Sequence, residues 1–259
     1  MLPREISGPP LASPSPDTVA CPACTKVEAR PAFVKSGYPF RRCAACGLVF
    51  ASPYPTPDQL AAYYNDPSRT PTEDYFNKAA SRRRRAALRA LRFFPYVFPG
   101  KTVLDLGCGG GFMVEAFARL GAKASGLDIS AGAIAYAQKH FPRGTFYCES
   151  MPAFAARGLQ FDFVFSSEVL EHVPGPDELL TTLAAVTKPG GYLHISSPDA
   201  GHKLVPANIA EWDQVAPPEH IQLFNRENAR ILFARYGFTL AKAYPNKKPG
   251  LSLLFRRGL

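Results

Sequence analysis

The chain has 259 residues, 46% of them hydrophobic, and a formal net charge of +9 at pH 7. That length allows one large domain plus a small one, and no apolar run approaches the ~20 residues needed to span a bilayer. No basic n-region followed by an apolar h-region opens the chain, so a cytoplasmic protein is expected, and the basic balance admits nucleic acid, a phosphorylated substrate or an acidic carrier as partner.

Residues 1–17 are rich in Pro and Ser and read as a disordered tail. Then come Cys21-Pro-Ala-Cys24 and, after eighteen residues, Cys43-Ala-Ala-Cys46-Gly47. Two C-x2-C knuckles in a reducing compartment predict a tetrahedral zinc site with Cys21, Cys24, Cys43 and Cys46 as ligands. Four sulfurs fill the coordination sphere, so the ion is structural, and it supplies stability that so short a segment cannot draw from a core of its own. Gly47 lets the backbone turn behind the second pair. Arg41 and Arg42 offset the charge of the thiolates. The other thiols, Cys108 and Cys148, read as small buried residues.

Leu48-Val49-Phe50 is a short strand leaving this ribbon, and Ser52 to Pro57 is an extended connector. A short helix starts at Asp58. After a Pro- and Asn-rich break at residues 65–71, a second helix is expected from Tyr75 to Phe94. It carries Arg82-Arg83-Arg84-Arg85, a run read first as a solvated face. The run has no interleaved aromatics, which weakens a surface for stacking single-stranded nucleic acid.

From there strand and helix alternate, the signature of a parallel sheet. Val103 to Leu106 is a buried strand, followed by a glycine turn and a helix that stops at Gly121. Ala124 to Asp128 is the second strand, and Ser130 caps the next helix. Thr145 to Cys148 and Phe161 to Phe165 are the third and fourth. A helix begins at Asp177, with Leu179, Leu180, Leu183 and Val186 on one face. Lys188-Pro-Gly-Gly191 is read as the turn into a fifth strand, Tyr192 to Ser196. Asn225 caps a last helix closed by Gly237. Phe238 to Tyr244 and Leu251 to Arg256 make a terminal antiparallel pair.

The first turn reads Asp105-x-Gly107-x-Gly109-x-Gly111. An acid at the strand end repels a pyrophosphate but suits a cationic amino acid moiety, and Asp128, one strand on, can accept both hydroxyls of a ribose. In this the chain resembles the class I methyltransferases that use S-adenosylmethionine (SAM), from about Phe98 to the C-terminus. The resemblance implies a Rossmann-like α/β fold with a mostly parallel sheet and an antiparallel last strand. It implies cofactor contacts from Asp105, Leu106, Gly107, Gly109, Gly111, Asp128, Ile129, Glu149 and Ser167, with Glu149 standing where an aspartate usually bonds the adenine amino group. In similar enzymes the helices before the domain lie over the cofactor cleft. Tyr63, Tyr64, Tyr75 and Phe76 are candidates for that place, with packing as the simpler role of each.

The fourth strand runs into Ser166-Ser167-Glu168-Val169-Leu170-Glu171-His172. This E-x-x-E-H run resembles the ubiquinone-pathway O-methyltransferases and the small-RNA 2′-O-methyltransferases, which implies a divalent metal held by Glu168, Glu171, His172 and a later histidine, here His220. Such an ion would bind the acceptor oxygen and lower its pKa. Two other readings stand beside it. His172 or His220 serves near the acceptor as general base or orienting group without metal, or both are structural. Pro198 to Phe224 is long for a connection. It carries His202, Glu211, Trp212, Asp213 and His220 and is expected to form the substrate wall. Its Pro217-Pro218-Glu219-His220 stretch resembles bacterial methyltransferases with N-terminal zinc ribbons from sugar, polyketide and surface-polysaccharide pathways.

The sequence therefore predicts a tail (1–17), a zinc ribbon (18–55), a helical cap (56–97) and a SAM-binding methyltransferase domain (98–259). The expected acceptor is a small or carrier-bound metabolite, with O-methylation ahead of C- or N-methylation. The alternatives are an RNA methyltransferase that uses ribbon and arginines on nucleic acid, and a non-catalytic module that keeps the cofactor fold.

Overall fold

A computed structural model describes residues 19–64 and 78–259. The expected tail, the break at 65–71 and the positions of Tyr75 and Phe76 lie outside them, as does the side chain of Tyr64. The first structured element is a hairpin, β1 (Ala29–Lys35) and β2 (Tyr38–Cys43). Ser36 and Gly37 turn it with φ of 49° and 80°, the positive pair a tight hairpin needs. Then follow β3 (Val49–Ala51), α1 (Pro57–Tyr64) and α2 (Ala79–Leu91).

The main domain begins with β4 (Thr102–Leu106) and α3 (Phe112–Arg119), then β5 (Lys123–Asp128) and α4 (Ala131–His140). Ser130 caps α4 as expected, its hydroxyl accepting from the Ala133 N–H. Next come β6 (Thr145–Cys148), the short α5 (Met151–Ala155), β7 (Phe161–Ser167), α6 (Asp177–Val186) and β8 (Thr187–Ser197). A two-residue β9 (Gln222–Leu223), α7 (Arg226–Ala234), β10 (Phe238–Ala243) and β11 (Leu251–Arg257) complete the chain.

The large sheet has the order β10-β11-β8-β7-β4-β5-β6, with β4 to β8 parallel and the last two strands antiparallel. Alternate residues feed opposite layers. Val103, Phe163 and Phe165 pack with α2 and α3, while Leu104, Leu106 and Val164 pack with α6 and α7. Strand order reverses between β4 and β7, so a crevice opens at their carboxyl ends, the place where open α/β sheets bind ligands.

Two expectations are corrected. Lys188–Gly191 is no turn ahead of a strand; it is a bulge inside β8, which already pairs Thr187 with Phe161. A side chain on Gly191 would strike the carbonyls of Lys188 and Asp162 at 2.8 and 3.1 Å, so only glycine fits the bulge. Cys108 is buried as expected, but Cys148 is exposed, because β6 is the sheet's edge strand.

The ribbon is joined to the main domain by pairing. Its sheet runs β1-β2-β3-β9, and β9 comes from the long connection after β8. Phe40, Val49 and Ala51 from the ribbon share a core with Ile209, Trp212, Val215, Ile221 and Leu223 from that connection.

Candidate active site

The acid–glycine–acid set lies along the carboxyl edge of four adjacent strands. Ser167 ends β7, the turn after Leu106 leaves β4, Asp128 ends β5 and Glu149 follows β6. Three inter-strand steps of roughly 4.8 Å make an edge of about 14 Å, room for an extended nucleoside with an amino acid arm. Gly107, Gly109 and Gly111 all have positive φ, 80°, 48° and 78°. They differ in what surrounds them. A side chain on Gly111 would meet Ala137 and Phe146 at 2.8 Å, and one on Gly107 would meet Val169 at 2.5 Å, whereas nothing lies within 4 Å of that position on Gly109. Gly109 is thus the one of these three glycines with open space on its side-chain side.

Asp128 fixes the turn. Its carboxylate accepts from the Gly109 N–H at 2.8 Å and the Ser130 N–H at 2.9 Å. Ile129 beside it is 78% exposed, an apolar platform at a strand end. Asp105 is buried, and its pKa is pushed up to about 7, by burial first, with Asp128 adding and the Arg89 cation opposing. Leu106 is buried beneath the turn. Glu149 accepts from Arg157 at 2.8 Å.

Arg89 escaped the sequence reading. It is concealed just after the run 82–85, yet it borders the buried stripe of Ala86 and Ala90 on α2, which Phe93 continues just past the helix, and that spacing was the available signal. Its guanidinium lies over the Phe165 ring and donates to the hydroxyls of Ser167 at 3.1 Å and Ser196 at 2.9 Å. Burial lowers its pKa, with Glu168 and Asp105 opposing. Within the run itself, Arg82 and Arg83 lie over Phe112 and Phe141, so part of it packs.

On the other side of the crevice, Glu171, His172 and His220 bring ligand atoms within 4.8 Å of one another. Glu168 is not one of this trio, although its carboxylate acts directly on that of Glu171. It adopts φ of 56° and its carboxylate accepts from the Ser196 hydroxyl at 3.1 Å. Glu171 is fully buried, and neither carboxylate oxygen has a hydrogen-bond partner among the described residues. Burial first, then Glu168, pushes its pKa up to about 8. Nδ1 of His172 meets the Glu219 carbonyl at 3.1 Å and Nδ1 of His220 meets the Gln214 carbonyl at 3.0 Å. A carbonyl only accepts, so in neutral rings Nδ1 carries the proton and Nε2 the lone pair. Burial and the neighbouring His220 hold the His172 pKa down at about 4, so the ring is neutral at pH 7. A buried carboxylate and two such imidazoles form a donor set that suits a divalent ion.

A cavity of about 620 Å³ opens next to Glu168 and Ser197 and is lined further by Glu211, Trp212, Asp213 and Lys248, among others; Glu171 and the two histidines do not line it. The Ser197 hydroxyl is buried and lacks a partner among the described residues. Tyr63, a sequence candidate, reaches the wall of this region, its hydroxyl donating to Glu219 at 2.7 Å.

The four ribbon sulfurs converge as predicted. Cys21 and Cys46 are 3.5 Å apart, Cys24 and Cys43 3.6 Å. Those distances far exceed a disulfide bond and approach the ~3.8 Å edge of a sulfur tetrahedron around zinc. Gly47 has φ of 74°, and its N–H closes the second knuckle on the Cys43 carbonyl.

The chain belongs to a methyltransferase family: a family model described as a methyltransferase domain matches residues 79–243. Among curated proteins it is similar to ubiquinone biosynthesis O-methyltransferases. With that of Coxiella burnetii (strain RSA 493 / Nine Mile phase I) it shares 38% identity over 102 residues, 38% of this chain and 44% of that protein. With that of Azoarcus sp. (strain BH72) it shares 39% over 159 residues, 54% of this chain and 68% of the relative. The chain thus spans under half the length of the first curated relatives it matches. Solved structures of like fold include magnesium protoporphyrin IX methyltransferase from Synechocystis PCC 6803 with bound SAH, at 20% identity and a TM-score of 0.54 over 71% of this chain and 97% of that one. A SAM dependent methyltransferase from Archaeoglobus fulgidus also has a TM-score of 0.54, at 20% identity over 68% of this chain and 94% of that one.

Proposed function

We propose that this chain is a SAM-dependent methyltransferase that O-methylates a small or carrier-bound hydroxyl acceptor. The observation that carries the reading is the geometry of the crevice: an acid–glycine–acid edge faces, across the strand reversal, two imidazoles with Nε2 lone pairs. Membership of a methyltransferase family, and relatives named for ubiquinone biosynthesis O-methylation, support it. When bound, the cofactor supplies a methyl group on a cationic sulfur. The protein's part is placement. Asp128 takes the ribose hydroxyls, Ile129 and Glu149 the adenine, Gly109 gives close backbone approach, and Asp105 offsets the positive amino group. Ser167 stands at the crevice, held by Arg89. His172 is first choice to take the acceptor proton as the oxygen attacks, His220 second. Among the described residues lining this cavity, three are acidic (Glu168, Glu211 and Asp213) and one is basic (Lys248), which favours an acceptor that is neutral or cationic near its reacting hydroxyl.

A divalent metal at Glu171, His172 and His220 is the second form of this reading. The buried Glu171 carboxylate, which lacks a hydrogen bond among the described residues and lies 3.9 Å from Nε2 of His172, favours it, and such an ion would lower the pKa of the acceptor hydroxyl. Zinc in the ribbon is structural on this reading, held by Cys21, Cys24, Cys43 and Cys46. Free thiols at all four positions suit a reducing compartment, so the cytoplasm is the proposed location. No helix among the described residues is long and apolar enough to cross a membrane. An RNA substrate fits less well, because the carboxylates Glu168, Glu211 and Asp213 line the cavity among the described residues and repel a polyanion.

Titration calorimetry with SAM and its demethylated product tests the proposal. Saturable binding of both is expected, with methyl transfer to a panel of small neutral phenols. Absence of heat with either cofactor form would overturn it.

A further inference from the structure

We propose that the cysteine ribbon is a clasp that positions the acceptor wall of the active site, and that Lys35 and Gln222 are the positioning residues through which it acts. The inference rests on the reading above in one respect, that Pro198 to Phe224 borders the acceptor.

The wall is a long connection with little structure of its own, one 3-10 turn at Ile209–Glu211 and the two residues of β9. Such a segment is held in place only by what it packs against. Three sets of contacts tie it to the ribbon, alongside those it makes with the E-x-x-E-H loop and with Tyr63 of α1. Lys35, at the tip of β1, donates from Nζ to the carbonyls of Ala210 at 2.7 Å and Trp212 at 3.1 Å. Phe40, Val49 and Ala51 supply the apolar core on which Ile209, Trp212 and Val215 sit. At the far end β3 pairs with β9, matching Phe50 with Gln222.

This last contact leads into the chemistry. The Ile221 carbonyl accepts from the Ala51 N–H of the ribbon at 2.8 Å, and the Ile221 N–H donates to the Glu171 carbonyl at 3.0 Å. One residue therefore bridges the ribbon and the E-x-x-E-H loop, and His220 immediately precedes it. Gln222 repeats the bridge with its side chain. It is fully buried, its amide donates to the Val173 carbonyl at 2.6 Å, and its oxygen accepts from the Tyr54 hydroxyl at 3.3 Å. The distance between His172 and His220 is thus set by a lattice anchored in the ribbon. These hydrogen bonds end on Glu171 and Val173, and none of them reaches Asp105, the glycine turn or Asp128.

The consequence is selective. Loosening the clasp should release the wall and leave the cofactor edge intact. Trp212 is the sole tryptophan and is 5% exposed, so its fluorescence reads the wall without any acceptor. Lys35→Met removes two hydrogen bonds at a half-buried position, and Lys35→Arg retains a donor. The Lys35→Met protein should show red-shifted Trp212 emission and about twofold greater acrylamide quenching, with SAM affinity within about twofold of the unaltered chain. Lys35→Arg should restore the native emission. Gln222→Leu should behave like Lys35→Met.

Unchanged quenching in Lys35→Met would overturn the proposal. So would a parallel loss of SAM affinity, since that places the ribbon under the whole fold rather than under the wall. If the unaltered chain binds no SAM, the proposed function fails while the Trp212 response still decides whether the clasp exists.

Discussion

The imidazoles of His172 and His220 meet edge to face with ring centroids 4.7 Å apart. One follows the fourth parallel strand and the other comes from the ribbon-clasped wall. Each is oriented through Nδ1 by a backbone carbonyl, an arrangement that fixes the tautomer and aims Nε2. Replacing either histidine by alanine should lower kcat by about 10²- to 10⁴-fold and leave the SAM dissociation constant within about twofold. Glu171→Gln separates the two forms of the proposal. It keeps shape but removes the charge an ion needs, so a loss beyond about tenfold marks a metal site, and a smaller effect marks a histidine base. Single-turnover rates with saturating cofactor provide the measurement.

Asp105 predicts a pH dependence with a definite sign. Its pKa in the folded chain is about 7, against about 3.9 in an unfolded one. Folding therefore favours the protonated form, and stability declines as pH rises from about 4 to about 7, then levels off. A cationic amino group needs the carboxylate, so binding expels a proton below pH 7, and SAM affinity should climb with pH up to about 7. Calorimetry in buffers of different ionisation heat would register the proton released. Asp105→Asn should raise the melting temperature above pH 7 while abolishing both the pH dependence and most of the affinity. A flat affinity profile between pH 5.5 and 8 would count against the assignment of Asp105 to the amino group.

The parallel strands were legible because β4 and β7 are buried on both faces and read as mostly apolar runs, each broken by one aspartate. The ribbon knuckles were legible because spacing alone defines them. What stayed hidden depends on partners distant in sequence. β9 is a strand only because β3 lies beside it, and no two-residue segment declares that. The Lys188–Gly191 stretch has the composition of a turn, yet pairing of Thr187 with Phe161 carries it into β8 as a bulge. The hairpin of β1 and β2 did have a signal, Ser36-Gly37 between extended segments. Arg89 was masked by the four arginines before it, and the full burial of Glu171 is a fact of packing that no motif encodes.

The cysteine cluster predicts a metal that survives gel filtration. Zinc analysis should find one tightly held ion per chain, and removal by a chelator, or Cys43→Ser, should lower the melting temperature by at least about 5 °C. Atomic absorption paired with calorimetric melting tests both halves. A metal-free protein with unchanged melting would leave the four thiols as mere neighbours.

The glycine turn predicts a split between stability and binding. Gly111 sits at φ 78° with Ala137 and Phe146 where a side chain would go, so Gly111→Ala should lose about 3 kcal/mol from left-handed strain and overpacking together. Gly109 has open space in that direction, so Gly109→Ala should lose only about 1 kcal/mol. On the proposed function the cofactor packs against that open side, and a methyl group there would occupy space it needs. Gly109→Ala should therefore weaken SAM binding by more than about tenfold, a larger loss of affinity than its loss of stability would suggest. Denaturant unfolding and cofactor titration on both variants give the comparison. Native affinity in Gly109→Ala would mean that the cofactor does not approach this turn, and the site would have to be sought elsewhere along the edge.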